Sequence, residues 1–136
     1  MTTIIEDVAN KLADMTTQDL PVYKLLFLAD ILNCVCIFPL VGMPTEFYST
    51  TASTTTMGVI DSPGVQIQVR YTNPYDAFAR AEAIRKWLDQ NAPTGYVMML
   101  TTRSQPSDVT SPEDIAMING PAYRFSVDFI MTKVRS

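Results

Sequence analysis

Few residues in this chain have the type and spacing to do chemistry. They are two cysteines spaced two apart and two pairs of adjacent carboxylates: Cys34 with Cys36, Glu6 with Asp7, and Glu113 with Asp114. On a strand the two cysteines would share one face, where a bond between them is strained, so we expect a reduced, buried pair. The alternative, half of a metal site, would need carboxylates as its further ligands. Adjacent carboxylates rarely converge on one substrate, and both pairs are interpreted as solvated charge.

The 136 residues include no histidine. This excludes Ser-His and Cys-His catalysis and metal sites built on imidazole. The sequence also lacks the glycine-rich phosphate loops GxGxxG and GxxxxGK[ST] and the nucleophile elbow GxSxG. We therefore predict no catalytic, cofactor-binding or metal-binding residues and expect a protein that is not an enzyme.

The charges are few and mildly acidic. Ten Lys and Arg face fourteen Asp and Glu, for a net charge of −4. The basic residues are spread along the chain, so binding of nucleic acid by charge is not expected. Only 18% of residues are charged, against about 25% in typical domains. This scarcity predicts that other subunits cover part of the surface.

The compartment is predicted from the N-terminus, the cysteines and the longest apolar run. No basic n-region of a signal peptide precedes Glu6, and two cysteines are no disulfide framework, so we expect synthesis in a reducing cytoplasm. The run from Leu25 to Val41 is short for a membrane span and contains Asp30 and Pro39. We expect no membrane association, and a membrane-active protein is only a remote alternative.

Periodicity predicts two helices and four strands. The helices span 3–15, with Thr3 and Glu6 as a capping-box pair, and 75–91, with Asn73 as N-cap and Pro74 at the first position. The strands are 34–38, 65–72, 96–102 and 123–132. The stretch 20–32 fits either a short helix or extended chain. In the second helix we expect a buried stripe and two ion pairs: Phe78, Ala81, Ile84 and Leu88, then Asp76 with Arg80 and Glu82 with Lys86.

The order of these elements predicts an α/β (α+β) fold. We expect one domain over 1–136, with a mixed sheet of about four strands and two helices packed on one face. The middle of the chain forms a strand-helix-strand unit. Two irregular segments, 40–62 and 103–121, interrupt the pattern. The first is rich in Thr and Ser and is either a long loop, a protruding β-arm or a simple linker.

The run from Asn33 to Asn91 resembles the tail terminator proteins of tailed bacteriophages, also described as minor capsid or tail completion proteins. The resemblance is carried by the strand at 34–38, the Gly42-Met-Pro44 turn, the strand Ser62-Pro-Gly-Val-Gln-Ile-Gln-Val-Arg70 and the helix that starts at Tyr75. With the first helix and the last strand in the expected order, it covers most of the chain.

The resemblance implies a structural virion protein without cofactors. Such a subunit forms a homo-oligomeric ring, typically a hexamer, that caps the phage tail tube, ends tail polymerisation and meets the head-completion (stopper) protein. It would be assembled in the host cytoplasm and reside in the virion at the head-tail junction. DNA would pass through the lumen without specific binding, and the net negative charge agrees with this.

The same resemblance suggests which residues lie at interfaces. The segment from Thr50 to Asp61 would be an arm toward a neighbouring subunit or the tube, and Arg103 to Gly120 a second contact loop. Gln66 and Arg70 would be interface or lumen contacts, unless they form an ordinary solvated face. The interface residues expected on the arm and on the second loop are Thr50, Thr51, Ser53, Thr54, Thr55, Thr56, Met57, Asp61, Arg103 and Asp108.

A second function stays open from the residues alone. A small α/β enzyme or ligand-binding domain would place a pocket between the sheet and its loops. The two hypotheses differ in their expected assembly, because a terminator forms rings and binds tail tubes whereas a pocket protein has no need to associate. The sequence does not separate a tail terminator from a neighbouring connector protein, nor a contractile from a non-contractile tail.

Overall fold

The computed structural model describes residues 3–27, 31–49, 57–102, 104–117 and 120–135. Within them the chain forms three helices and a six-stranded sheet. The helices are α1 (Ile4–Leu12), α2 (Pro74–Gln90) and α3 (Pro112–Ile115). The strands are β1 (Val22–Lys24), β2 (Cys34–Ser49), β3 (Met57–Tyr71), β4 (Met98–Thr101), β5 (Ser107–Asp108) and β6 (Tyr123–Arg135). The predicted mixed fold of helices and strands is confirmed.

The sheet has the order β1-β2-β3-β6-β4, and β5 also pairs with β6. Strands β1 and β2 run parallel, and the other pairs are antiparallel. The prediction of four strands and two helices misses three short elements. Strand β1 lies in the ambiguous stretch 20–32, whereas β5 and α3 lie in the segment expected to be irregular. The strand-helix-strand unit of β3, α2 and β4 is split, because β6 occupies the place between its two strands.

Helices α1 and α2 pack on the same face of the sheet. Their buried residues and the inward residues of the strands form one apolar cluster, which includes Val8, Leu12, Ile37, Ile67, Ile84, Leu88, Phe129 and Met131. In α2 the buried positions are Ala77, Ala81, Ile84 and Leu88. Phe78 was expected in this stripe, but it is only half-buried and packs edge-on against Phe125 with ring centroids 5.6 Å apart. The larger ring therefore sits at the margin of the core.

Both long helices begin at the predicted caps. The Thr3 hydroxyl accepts a hydrogen bond from the Glu6 N–H at 3.2 Å, and the Asn73 side chain accepts from Tyr75 N–H at 2.9 Å. These bonds satisfy donors that the helix itself leaves without partners.

The ion pairs predicted within α2 are wrong. Arg80 pairs instead with Asp19, at 2.6 Å, outside the helix. Glu82 pairs with Arg85, which also contacts Asp89 at 3.3 Å. Residues three and four apart share a helix face, so Arg85 competes with the expected Lys86 for the Glu82 carboxylate.

Strands β2 and β3 continue past the core as an arm. Their register runs from Cys34 opposite Arg70 to Ser49 opposite Met57, with irregular steps between Leu40 and Met43 and between Met43 and Glu46. Strand β6 accompanies β3 as far as the pair Val59 and Arg135. Of the three alternatives for 40–62, a β-arm is the one found for 40–49 and 57–62. Residues 50–56 lie outside the described part of the chain.

Pro39 ends the pairing between β1 and β2. Two bonds link β2 to the segment of β1: Val35 N–H donates to Pro21 O, and Leu25 N–H donates to Ile37 O, both at 2.9 Å. Because the backbone groups of a strand point alternately to its two sides, the next N–H directed toward β1 would be that of residue 39. A proline has no N–H, so the ladder stops there.

Candidate functional site: the polar face of the sheet

The face of the sheet opposite the helices carries polar and sulfur-containing side chains. Directly paired residues of adjacent strands share a face. Cys34 pairs with Arg70, Cys36 with Gln68 and Phe38 with Gln66. On β3 and β6 the same face continues through the pairs Gln66 and Asp128, Gln68 and Ser126, and Arg70 and Arg124. Segments 25–27 and 104–117 contribute the groups that cover it.

Asp114 is the centre of this face. It is only 1% exposed. One carboxylate oxygen, Oδ1, accepts a hydrogen bond from Arg124 at 2.6 Å and lies 3.8 Å from the Arg70 guanidinium. The other, Oδ2, accepts from the Ser111 N–H at 2.9 Å and from its hydroxyl at 3.0 Å. One carboxylate thus joins the cap of α3 to two strands of the sheet.

Phe27 lies against both guanidinium groups. Its ring centroid is 4.6 Å from the Arg70 guanidinium carbon and 4.3 Å from that of Arg124. Arg70 also donates a hydrogen bond to the Ile31 carbonyl. Stacking on an aromatic face and pairing with a carboxylate are the two contacts that suit a planar guanidinium best. Two like charges are thereby held together beside a single carboxylate.

A chain of amide hydrogen bonds leads from this cluster toward the arm. Arg124 donates to Gln68 Oε1 at 3.3 Å, Gln68 donates to Gln66 Oε1 at 2.7 Å, and Gln66 donates to Asp128 Oδ1 at 3.0 Å. Each of these three links joins a donor to an acceptor, so the side chains from Arg124 to Asp128 form one connected chain of hydrogen bonds. Among the described residues, the buried Nε of Arg124 has no hydrogen-bond partner.

Both cysteines are free thiols buried under this cover. Burial raises the pKa of the Cys34 thiol to about 11 and outweighs the opposing charge of Arg70. Burial also raises the pKa of Cys36, whose Sγ donates to the Leu26 carbonyl at 3.0 Å. A protonated, enclosed thiol is a poor nucleophile and a poor metal ligand. The reduced, buried pair expected from the sequence is the state found.

The expectation that Arg70 lies on an interface or lumen surface is wrong for this subunit. Arg70 is 3% exposed and lies beneath Phe27 and Asp114. Gln66 is half-buried in the amide chain described above. The sequence alternation places both residues on one face correctly, but distant segments cover that face.

The other predicted interface residues are scattered. Asp61 is half-buried opposite Lys133, Met57 pairs with Ser49, and Asp108 is exposed on β5, where its carboxylate accepts from Thr110 N–H at 2.9 Å. Segment 50–56 joins β2 to β3 in sequence and is called the tip below. Arg103 lies outside the described residues, and so do the predicted residues of the tip: Thr50, Thr51, Ser53, Thr54, Thr55 and Thr56. Of the predicted residues that the structure describes, Gln66 and Arg70 belong to one network.

Sequence reasoning missed Phe27 and Arg124 as members of a site, and its interpretation of Asp114 as solvated charge is wrong, because that side chain is 1% exposed. One signal was available for Asp114, because Ser111-Pro-Glu-Asp114 has the spacing of a capping box, which the structure contains. Nothing local marks Phe27 or Arg124, since their partners are distant in sequence.

Two open grooves lie elsewhere on the molecule. One, of about 220 Å³, runs between α1 and the 93–94 turn and is lined by Asp7, Lys11 and Asp14 among others. The other, of about 330 Å³, lies beside α2 and includes Asp19 and Arg80. The hydrogen bond from Arg80 holds the pKa of Asp19 below its usual range.

In the described part of the chain, no three His, Cys, Asp or Glu residues are grouped closely enough to hold a metal ion. Within the same residues, no helix has the length and apolar character needed to cross a membrane. In comparisons with known proteins, no family model matches the chain. No curated protein matches it either.

Proposed function

We propose that this chain is a structural subunit of a phage tail, a terminator that forms a ring on the tail tube. The ring, taken as a hexamer, ends tube polymerisation and presents its other side to the head-completion protein. It is assembled in the host cytoplasm and stays in the virion at the head-tail junction. DNA passes through its lumen, where a net charge of −4 gives the phosphates no general attraction.

The segments that carry the family resemblance are neighbours in space. Strands β2 and β3 pair over the resembling stretches 34–38 and 62–70, and α2 packs behind them through Ala81 and Ile84. A resemblance spread over separate motifs has more weight when those motifs form one packed unit. This packing supports the proposal without testing the activity.

The arm is the observation that carries the proposal. From Leu40 to Ser49, β2 extends for about 30 Å at the rise of an extended strand. Between residues 40 and 60 the only charged residue is Glu46. Strand β6 covers the β3 edge of the arm as far as Val59, whereas among the described residues no strand pairs with the other edge of β2 beyond Ile37. A long strand edge with so little charge is one that proteins usually protect. Such an arm is expected to be covered by a neighbouring subunit or by the tube.

The test removes the tip and leaves the arm strands intact. Ser49 and Met57 are directly opposite, so residues 50–56 can be replaced by Asn-Gly, the preferred two-residue hairpin turn. The variant and the unaltered protein are compared by analytical ultracentrifugation and by negative-stain imaging with preformed tail tubes. We expect the unaltered protein to form rings and cap tubes, and the variant to fold but lose tube capping.

The contradicting result is equally definite. An unaltered protein that stays monomeric at all concentrations and never binds tubes would refute the terminator proposal. If the variant with residues 50–56 replaced still caps tubes, these residues are not needed for capping, and the proposed ring stands without them. Substitution of Tyr75 by Ser, at an 84% exposed position outside the arm, is the matched control.

A further inference from the structure

The outer edge of β4 is apolar and lacks the usual protection of an edge strand. Segment 96–102 contains no charged residue, proline or glycine, which are common means of blocking unwanted pairing. Val97 and Leu100 are 62% and 56% exposed. Their backbone is fixed, because Val97 N–H donates to Thr132 O at 2.9 Å and Leu100 pairs with Ile130. Among the described residues, no strand covers this edge.

The opposite edge of the sheet carries a second apolar pair. Leu25 and Leu26, directly after β1, are 60% and 57% exposed. Their backbone is also held, by the bond from Leu25 N–H to Ile37 O at 2.9 Å and by Cys36, which donates to Leu26 O at 3.0 Å. Leu25 has a φ of 71°, a left-handed conformation that is strained for a bulky residue. The fold therefore presents these leucines outward at an energetic cost.

We propose that the two edges bind each other between copies of this chain, with the β1 edge of one subunit against the β4 edge of the next. The patches are unlike and lie at opposite ends of the strand order β1-β2-β3-β6-β4. A contact of β4 with β4 would leave Leu25 and Leu26 uncovered, whereas a head-to-tail contact buries both patches at once. Head-to-tail contacts repeat from subunit to subunit, and they close into a ring when the rotation between neighbours divides a full turn evenly. This inference rests on the proposed ring and names the surfaces that build it.

Backbone pairing fits this arrangement. Strand β1 has three residues and β4 has four, so the two open edges match in length. Pairing of exposed edges extends a sheet across an interface and leaves specificity to the flanking side chains. A standard interface buries about 800 Å² per partner, so the edge contact forms its centre and the arm extends it. In a closed ring each subunit makes two such contacts, one at each edge. A subunit held at both edges dissociates less readily than one held by a single contact of the same kind.

Cysteine cross-linking tests the polarity of the contact. Leu26→Cys and Leu100→Cys are made singly and together, and each protein is treated with a short bis-maleimide at assembly concentration. The native thiols are buried, so the unaltered protein gives the background. Tyr75→Cys, at an exposed position outside both edges, is the matched control. We expect covalent dimers from a mixture of the two single variants, a ladder up to the ring from the double variant, and only monomers from each alone.

Three results would overturn the inference. Dimers from Leu100→Cys alone would show a contact of β4 with itself. A double variant that cross-links no more than Tyr75→Cys, in samples that form rings, would place the ring contact elsewhere and leave the terminator function standing. A chain that forms no ring at any concentration and never binds tubes refutes the terminator proposal as well. As a second readout, Leu100→Lys is expected to abolish rings and Tyr75→Lys to preserve them.

Discussion

At the scale of single residues, Asp114 decides how the polar face is held. Its carboxylate is shared by the α3 cap, Arg124 and Arg70. Buried ion pairs are weak stabilisers relative to apolar packing, but removal of one partner leaves an uncompensated charge. Two guanidinium charges share this single carboxylate, so loss of the carboxylate leaves both positive charges close together without their counter-charge.

Asp114→Asn is therefore expected to lower the free energy of unfolding by about 3–5 kcal/mol, the usual cost of breaking a buried pair. Asparagine keeps the size and one acceptor but removes the charge. The measurement is chemical denaturation, with Glu113→Gln as control because Glu113 is the exposed neighbour in α3. Equal unfolding energies for the two variants would show that Asp114 contributes no more than surface charge.

Cys34 supplies a pH dependence at the same scale. The pKa of its thiol is raised by burial to about 11, above the usual thiol value of about 8.5. The folded state therefore favours the protonated thiol, so this contribution to stability is complete below about pH 8.5 and is lost as pH rises toward 11. We expect Cys34→Ala to reduce the fall in unfolding free energy between pH 8.5 and 10.5. Parallel pH profiles for the two proteins would contradict this.

At the scale of elements, the start of α2 depends on one side chain. The Asn73 amide oxygen accepts from Tyr75 N–H at 2.9 Å and from Asp76 N–H at 3.3 Å. Asn73→Ala should lower stability by about 1 kcal/mol, and Asn73→Asp should restore most of it, because either carbonyl or carboxylate oxygen serves as a cap. Thermal unfolding of the three proteins tests this. A variant with alanine that melts like the original would show that Pro74 alone sets the helix start.

The same elements show what periodicity predicts well. The two long helices and the strands predicted at 34–38, 65–72, 96–102 and 123–132 follow from patterns within one segment, and so do the helix caps. Strand β1 has three residues and β5 has two, and neither has a hydrophobic pattern of its own. They are strands only because β2 and β6 offer backbone partners. Tertiary pairing of this kind has no local signal.

The candidate site was predicted less well than the fold for a related reason. The alternation Gln66, Gln68, Arg70 looks the same whether the polar face meets water or another part of the chain. Phe27 and Asp114 cover Arg70 from segments more than 40 residues away on either side. Sequence spacing therefore assigns the residues to a face, and only the tertiary structure says what lies on that face.

At the scale of the whole molecule, a charged cluster is enclosed beside the apolar core, while several apolar side chains stay exposed at the edges of the sheet. The arginine cluster and the amide chain are enclosed, whereas four aliphatic side chains flank the two sheet edges: Leu25, Leu26, Val97 and Leu100. A subunit that works alone is expected to have the opposite arrangement. The low content of charged residues, 18%, also favours a subunit that is partly covered in an assembly, because charged side chains are depleted in interface cores.

This arrangement predicts how ring assembly responds to salt. Contacts made by opposite charges weaken as the Debye length falls from about 14 Å at 0.05 M to about 4 Å at 0.5 M salt, whereas apolar burial is not screened. Segment 96–102 and Leu25–Leu26 carry no charge, and Lys24 is the one charged residue of β1, so the association constant should change less than about threefold between these concentrations. Sedimentation velocity over a dilution series at each salt concentration measures it. A loss of tenfold or more on adding salt would mean that charged groups outside these edges dominate the contact between subunits.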